Sequence, residues 1–154
     1  MKVDWDTRFI QLARHIGEWS KDRSTKVGCV IVGPNNEVRC TGYNGFPRNV
    51  DDDNEERHAR PAKYIWTEHA ERNAIYNAAR TGVPVDGCRM YLPWCPCMEC
   101  ARAIVQSGIS ELVAIEPELD DPQWGEDFKV ALLLFSEAGV RVRWYRENAE
   151  ERSN

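Results

Sequence analysis

The sequence has no long apolar segment. No stretch approaches the roughly 18 apolar residues that a membrane-spanning helix needs, and residues 1–10 lack the basic start and apolar core of a signal peptide. We therefore expect a cytoplasmic protein with no membrane partner. Internal repeats are absent as well, so the 154 residues predict one domain over residues 1–145 and a polar tail over residues 146–154.

An excess of positive charge is also missing. The chain carries 25 acidic side chains against 20 Lys and Arg, which gives a formal net charge of -5. This balance disfavours a protein whose main task is to grip the phosphate backbone of a nucleic acid. A small anionic ligand remains compatible with the composition, because it needs only a local basic pocket.

The apolar pattern predicts elements in the order α-β-β-α-β-α-β-α-β. Helices are predicted over residues 5–19, 64–80, 97–106 and 128–138, and strands over residues 27–32, 38–43, 89–92, 111–115 and 140–145. Residues 45–61, rich in charge and with two prolines, are expected to form a long surface loop. Alternating elements bury a central sheet, so this order predicts a three-layer α/β/α fold around a five-stranded mixed sheet.

Two short motifs lie where predicted helices begin, His69-Ala70-Glu71 and Cys97-Met98-Glu99-Cys100. Two cysteines three apart at a helix start can direct both sulfurs to one ion, and the positive helix end favours the thiolate form. His69 can complete a three-residue zinc site that leaves the fourth tetrahedral position for water. Glu71 is then placed to take a proton from that water.

The alternative is a closed structural site with Cys95 as a fourth ligand. One residue separates Cys95 from Cys97, a spacing that strains two sulfurs at one ion, and a core of this size needs no metal staple. The two remaining histidines, His15 and His58, are expected to be solvent-exposed. The other three cysteines are most simply small apolar core residues: Cys29, Cys40 and Cys88.

His-x-Glu followed by Pro-Cys-x-x-Cys is the signature of zinc nucleobase deaminases. Together with Ser-Lys-Asp at 20–22, Ser-Thr-Lys-Val-Gly at 24–28, Thr-Gly-Tyr-Asn-Gly-Phe-Pro-Arg at 41–48 and Leu-Phe-x-x-Ala-Gly-Val at 134–140, it makes the chain resemble the deoxycytidylate deaminases. The resemblance spans about residues 7–145. It implies the cytidine deaminase-like fold, a Zn²⁺ cofactor, conversion of the small-molecule nucleotide dCMP to dUMP and ammonia, and a homo-oligomer, often a hexamer.

The same resemblance assigns roles to individual residues. His69, Cys97 and Cys100 match the zinc ligands and Glu71 matches the proton shuttle. Asn44 matches the asparagine that contacts the sugar, although an asparagine between glycine-containing turns is also a common turn residue. The remaining substrate-binding candidate within the first motif is Ala70.

A monophosphate substrate also needs a cation, and three candidates lie in or beside the predicted site segments: Lys26, Arg48 and Arg80. Arg80 matches a phosphate-contacting position in a viral relative, although arginines at helix ends are commonly solvated. Trp124 can stack on the base or serve as an interface aromatic residue.

Two rival functions stay open. Another deaminase of the same fold could act on guanine, free cytidine, a modified pyrimidine nucleotide or tRNA adenosine. The acidic balance counts against tRNA, and the Gly-Tyr-Asn-Gly-Phe-Pro loop counts against a free nucleoside. The second rival is a catalytically silent zinc module that binds nucleotides, against which the presence of Glu71 argues.

Overall fold

The fold is built around a mixed sheet of five strands. A computed structural model describes residues 4–147, in which the chain forms six helices and five strands. The strands are β1 Gly28–Val32, β2 Val38–Tyr43, β3 Arg89–Leu92, β4 Glu111–Ala114 and β5 Arg141–Trp144. The helices are α1 Trp5–Gly17, α2 Glu55–His58, α3 Lys63–Trp66, α4 Ala70–Thr81, α5 Met98–Gln106 and α6 Gly125–Ala138.

The strands lie in the order β2-β1-β3-β4-β5. The β1 strand runs antiparallel to β2 and to β3, whereas β3, β4 and β5 are mutually parallel. Each parallel pair is joined through a helix, as a crossover connection requires. The predicted five-stranded mixed sheet is confirmed.

Helices cover both faces of this sheet. Side chains alternate across a strand, so Val30 and Val32 of β1 face α1, whereas Cys29 and Ile31 face α4 and belong to the core cluster that residues of α5 and α6 also form. The three-layer α/β/α prediction is therefore confirmed. Of the three cysteines expected in the core, Cys29 and Cys88 are fully buried, and Cys40 packs against the core.

The α4 helix lies very close to the sheet at Gly42. A Cβ atom at this position would lie 2.3 Å from the backbone nitrogen of Ala74 and 2.5 Å from the carbonyl oxygen of Ala70. Glycine is the residue that leaves room for such an approach. The contact therefore fixes the beginning of α4, with His69 and Glu71, against the end of β2.

The continuous helix predicted over residues 64–80 is wrong. The chain is extended at Thr67 and His69, with ψ values of 127° and 154°, so that α3 and α4 are separate helices. Between them Glu68 pairs with Gly45 through backbone hydrogen bonds of 2.8 and 3.1 Å. The partner of this bridge is distant in sequence, so local apolar spacing cannot reveal the break.

The predicted loop over residues 45–61 also contains a short helix, α2, whose N-cap is Asn54. The expectation that His58 is solvent-exposed is wrong. Its ring is half-buried, stacks on Phe46 at a centroid distance of 4.6 Å and hydrogen bonds to the Asp52 carbonyl at 2.7 Å. His15, by contrast, is exposed on α1 as expected.

The first two residues of the predicted tail contact the domain. Arg146 pairs with Glu116 at 3.2 Å, and Glu147 pairs with Arg14 at 2.5 Å. The rest of the predicted tail, residues 148–154, lies outside the described residues. Within residues 4–147, none of the helices combines the length and apolar character that crossing a bilayer requires.

Candidate active site

Three ligand-type side chains meet where two helices begin. His69 is the N-cap of α4, Cys97 is the N-cap of α5, and Cys100 lies in the first turn of α5. The His69 Nδ1 atom lies 3.4 Å from each of the two Sγ atoms. Bonds of roughly 2.0–2.3 Å in a tetrahedral zinc site place ligand atoms about 3.5 Å apart. The three side chains therefore fit one zinc ion.

Local contacts hold these helix starts in place. The α4 and α5 helices pack on the same face of the sheet. Asp127 of α6 accepts a hydrogen bond of 2.7 Å from the backbone N–H of Met98, the first residue of α5. Glu68 accepts one of 3.0 Å from the backbone N–H of His69. The side chains of Glu68, which directly precedes His69, and of Asp127 on α6 thus hold the backbone at the beginning of both helices.

The Cys97 and Cys100 side chains shift each other's pKa in opposite directions. The hydrogen bond from Cys100, with a further one from His69, lowers the pKa of Cys97 to about 4. The same contact with Cys97, together with burial, raises the pKa of Cys100. The hydrogen bond to Cys97 also raises the pKa of His69. A divalent cation stabilises thiolates in place of such protons, so the donor set suits a thiophilic metal such as zinc.

Glu71 is a buried carboxyl group beside this cluster. Its exposed fraction is 3%, and it lies in the first turn of α4. Burial raises the pKa of Glu71 above the ordinary range of a glutamate. A carboxyl group held in this way can accept a proton from one partner and deliver it to another, which is the property a general acid-base residue needs.

A pocket opens over Glu71 and the ligand cluster. Three of the residues that the sequence predicts to bind substrate line it, Asn44, Ala70 and Trp124. Aromatic side chains from two further segments, Trp94 and Phe128, form part of its wall. The structure therefore brings most of the predicted site residues to one cavity: Asn44, His69, Ala70, Glu71, Cys97 and Trp124.

The side chain of Asn44 is held rigidly at this pocket. Its Oδ1 accepts a hydrogen bond of 2.9 Å from the Val27 backbone N–H, and its Nδ2 donates one of 2.8 Å to the Thr25 carbonyl. A carboxamide has two donor hydrogens and two acceptor lone pairs. Asn44 therefore keeps one donor and one acceptor for a ligand, while the internal bonds set its orientation.

The three predicted phosphate cations do not line this pocket. Arg48 donates a hydrogen bond of 2.7 Å to Asn77, and it lines a separate groove together with Arg80. Eleven residues separate Arg80 from His69, which is roughly 16 Å along a helix at about 1.5 Å per residue. Lys26 is exposed and lines neither cavity. The expectation that these cations lie at the pocket is wrong, because sequence proximity to a motif does not fix the side-chain direction.

Sequence reasoning missed two cations that do line the pocket, Arg60 and Lys63. Arg60 lies in the segment predicted to be a surface loop, and Lys63 lies between that loop and the next predicted helix. Asp22, the partner of Lys63, also lines the cavity. The one sequence signal was the basic character of the segment that precedes His69, and charge alone is more typical of a solvated surface.

Cys95 lies outside the metal-binding cluster. Among the described residues, the ligand group consists of His69, Cys97 and Cys100, whose ligand atoms all lie within 4.8 Å of one another. Cys95 is buried, and burial raises the pKa of its thiol to about 12. This geometry favours the three-ligand arrangement over the closed four-ligand site.

Known proteins resemble this chain in sequence. Residues 3–116 match the family model described as "Cytidine and deoxycytidylate deaminase zinc-binding region". A protein of Aliivibrio fischeri named "Uncharacterized deaminase in luxG 3'region" is 43% identical over 141 residues, 91% of this chain and 92% of that protein. The deoxycytidylate deaminase of Mus musculus is 36% identical over 146 residues, 92% of this chain and 79% of its own length.

Solved structures resemble the fold. The crystal structure of a dCMP deaminase from the cyanophage S-TIM5, in complex with dCMP and dUMP, has a TM-score of 0.75. It covers 94% of this chain and 99% of its own, at 22% sequence identity. The likeness at this identity concerns the fold, and it confirms the architecture that the sequence resemblance implied.

Proposed function

This chain belongs to the cytidine and deoxycytidylate deaminase family, and we propose that it hydrolyses dCMP to dUMP and ammonia. The observation that carries the proposal is one pocket that joins a buried carboxyl group, Glu71, to the three-ligand cluster and to the polar side chain of Asn44. Curated relatives that are named deoxycytidylate deaminase support the choice of nucleotide.

His69, Cys97 and Cys100 would hold the zinc cofactor of this family. Their ligand atoms are the imidazole and thiolate groups that zinc prefers, and their separations suit one tetrahedral ion. Zinc, when bound, supplies a Lewis acid that lowers the pKa of water and so provides the nucleophile at neutral pH.

Glu71 moves the protons of the reaction. It accepts one proton as water attacks C4 of the cytosine ring, and it delivers this proton to ring N3. It then transfers the remaining proton of the added hydroxyl group to the C4 amino group, so that ammonia leaves and the C4 carbonyl forms. The raised pKa of Glu71, which burial causes, suits a group that alternates between both protonation states.

The other pocket residues position the nucleotide. Asn44 offers its remaining N–H and lone pair to the sugar hydroxyl. Ala70, as the first residue of α4, has a backbone N–H without an intrahelical acceptor, and we assign it to the base carbonyl. Trp124 presents an aromatic surface of the kind on which a base stacks.

We also propose that the chain forms a homo-oligomer. Large apolar side chains stay exposed on α3 and α6: Ile65 is 85% exposed, and Val130 and Leu133 are 49% and 59% exposed. Val130 and Leu133 lie three residues apart and so on one face of α6, and neighbouring exposed apolar side chains are typical of surfaces that become buried in an assembly. Sedimentation of the zinc-loaded protein tests this proposal, and a purely monomeric species would contradict it. A cytoplasmic location stays a prediction from the sequence.

An ammonia-release screen tests the proposed reaction. Zinc-loaded protein is incubated with cytosine, adenine and guanine substrates, each as free base or nucleoside and as monophosphate. We expect release from dCMP at a kcat/KM well above that for deoxycytidine. Equal values for these two would refute the monophosphate assignment. Release from guanine or adenosine substrates alone would favour another deaminase of this fold, and nucleotide binding without ammonia release would favour the silent module.

A further inference from the structure

The substrate pocket contains two cationic side chains, and they differ in what they contact. Lys63 and Arg60 both line the cavity that holds Glu71. The Nζ atom of Lys63 donates to both carboxylate oxygens of Asp22, at 3.1 and 3.0 Å, and to Ser24 Oγ at 2.8 Å. An ammonium group has three N–H donors. Lys63 therefore has no donor left for a ligand.

The carboxylate of Asp22 is also engaged in hydrogen bonds within the protein. Its Oδ1 atom accepts hydrogen bonds of 2.8 and 2.9 Å from the backbone N–H groups of Ser24 and Thr25, besides the one of 3.1 Å from Lys63. The negative charge of Asp22 is thus matched by a full positive charge and two oriented dipoles. The pair leaves this wall of the pocket close to neutral, and it neither attracts nor repels an anion strongly.

Arg60 has no such partner. Within the part of the chain from residue 4 to residue 147, its guanidinium group makes no hydrogen bond and no ion pair. Nearby arginines are engaged, since Arg57 lies over the Trp66 ring at 4.1 Å and Arg48 binds Asn77. Arg60 is exposed at the rim, between α2 and α3, where it lines the pocket and stays solvated.

We propose that Arg60 is the residue that binds the phosphate of the substrate and so selects a nucleoside monophosphate over a nucleoside. The inference rests on the proposed function, because it assigns a specificity residue to that same pocket. Arginine presents several N–H donors in a planar fork that matches two phosphate oxygens. Because Arg60 has free donors and lies at the rim, it can hold the phosphate there while the base occupies the buried end of the cavity.

The test compares substrates with and without the phosphate. In zinc-loaded protein, Arg60→Gln is expected to lower kcat/KM for dCMP by about 10- to 100-fold, the usual effect of losing a charged hydrogen bond. The loss should appear mainly in KM, so the ratio of kcat/KM for dCMP to kcat/KM for deoxycytidine should fall. Arg60→Lys is expected to restore part of the loss, because it returns the charge without the fork.

Two arginine variants serve as controls. Arg102 is exposed on α5 and lines neither the pocket nor the separate groove, so Arg102→Gln removes the same charge and should leave the preference for dCMP intact. Arg80→Gln tests the rival position in the separate groove. If Arg80→Gln lowers the dCMP to deoxycytidine ratio and Arg60→Gln leaves it unchanged, the assignment of Arg60 is overturned.

A binding measurement separates this inference from the proposed reaction. Calorimetry with dUMP and with deoxyuridine measures how much the phosphate group increases the binding affinity, and it requires no turnover. We call this increase the phosphate increment. Arg60→Gln should reduce that increment about 10-fold or more. An unchanged increment would overturn the role of Arg60 even if dCMP is deaminated. Absence of ammonia release by the wild type, with an increment that depends on Arg60, would reject the reaction and keep the phosphate site.

Discussion

Lys63 Nζ lies 3.0 Å from Asp22 Oδ2, and the two side chains are only 10% and 6% exposed. Asp22 also accepts the backbone N–H of Thr25, whose carbonyl oxygen accepts a hydrogen bond from Asn44. The ion pair therefore joins the segment before α4 to the loop that orients a predicted substrate-binding residue. This one contact therefore contributes to the stability of the fold and also to the orientation of Asn44.

Replacing Lys63 by methionine should destabilise the protein strongly. The Lys63→Met variant leaves the Asp22 carboxylate buried without its counter-ion, which typically costs about 3–5 kcal/mol of unfolding free energy. Chemical denaturation at a fixed zinc concentration measures the change. Lys129→Met is the matched control, because Lys129 pairs with Glu126 on the surface and such pairs contribute about 1 kcal/mol or less. Equal losses in both variants would contradict the role of the buried pair.

The same pair predicts an acid-dependent loss of stability. Burial would raise the pKa of Asp22, but the backbone N–H groups of Thr25 and Ser24 and the Lys63 ammonium group lower it to about 2. The ordinary pKa of the carboxyl group is 3.8, so its contribution is present above about pH 4 and is lost as the pH falls towards 2. After allowance for solvent screening, we expect this contribution to be about 1–2 kcal/mol.

Asp22→Asn provides the comparison for the acid-dependent loss. The difference in unfolding free energy between the wild type and this variant should shrink between pH 5 and pH 2. Loss of metal at low pH affects both proteins and largely cancels in the difference. A difference that stays constant over this interval would show that the carboxylate of Asp22 is not specifically stabilised in the folded protein.

Glu71→Gln should abolish most turnover while it retains zinc. The amide keeps the size of the side chain but cannot carry the proton, and general acid-base catalysis is typically worth at least about 100-fold in rate. Zinc content by atomic absorption and ammonia release are measured on the same preparation. A zinc-replete variant with a near-normal rate would reject Glu71 as the proton carrier.

Alanine substitutions should distinguish the two cysteines that bind zinc, Cys97 and Cys100, from Cys95. Cys97→Ala and Cys100→Ala each remove one of three ligands and are expected to lose most of the zinc and the activity. Cys95→Ala is expected to retain both, since this side chain lies outside the ligand group. If Cys95→Ala loses zinc as completely as Cys97→Ala, the closed four-ligand site is the correct description.

A methyl group at Gly42 should displace α4. The added Cβ atom of Gly42→Ala would overlap the backbone of Ala70 and Ala74, so we expect a loss of about 1–3 kcal/mol or more and weaker zinc binding. Gly45→Ala is the control, because a Cβ atom at this position would have its nearest contact with a Tyr43 ring carbon at 3.9 Å. The melting temperature and zinc affinity of both variants test the prediction. Comparable behaviour of the two would show that α4 can move without cost.

The ligand cluster and the sheet could be predicted from the sequence because their signals are local. The spacing of three residues between Cys97 and Cys100 fixes their relative position at the beginning of any helix. The spacing of two residues between His69 and Glu71 does the same. Likewise Cys29 to Val32 alternate between the two faces of the sheet because side chains alternate along any strand. Such relations follow from backbone geometry and depend little on the rest of the chain.

Only the tertiary structure decided which charges reach the pocket and where the helix before His69 is broken. The bridge between Glu68 and Gly45 separates α3 from α4, and it joins residues far apart in the sequence. The turn into α4 leaves Arg80 at the far end of that helix, whereas the preceding segment brings Arg60 and Lys63 to the cavity. Long flexible cations carry little positional information in a sequence, because contacts between distant segments determine where their charged ends lie.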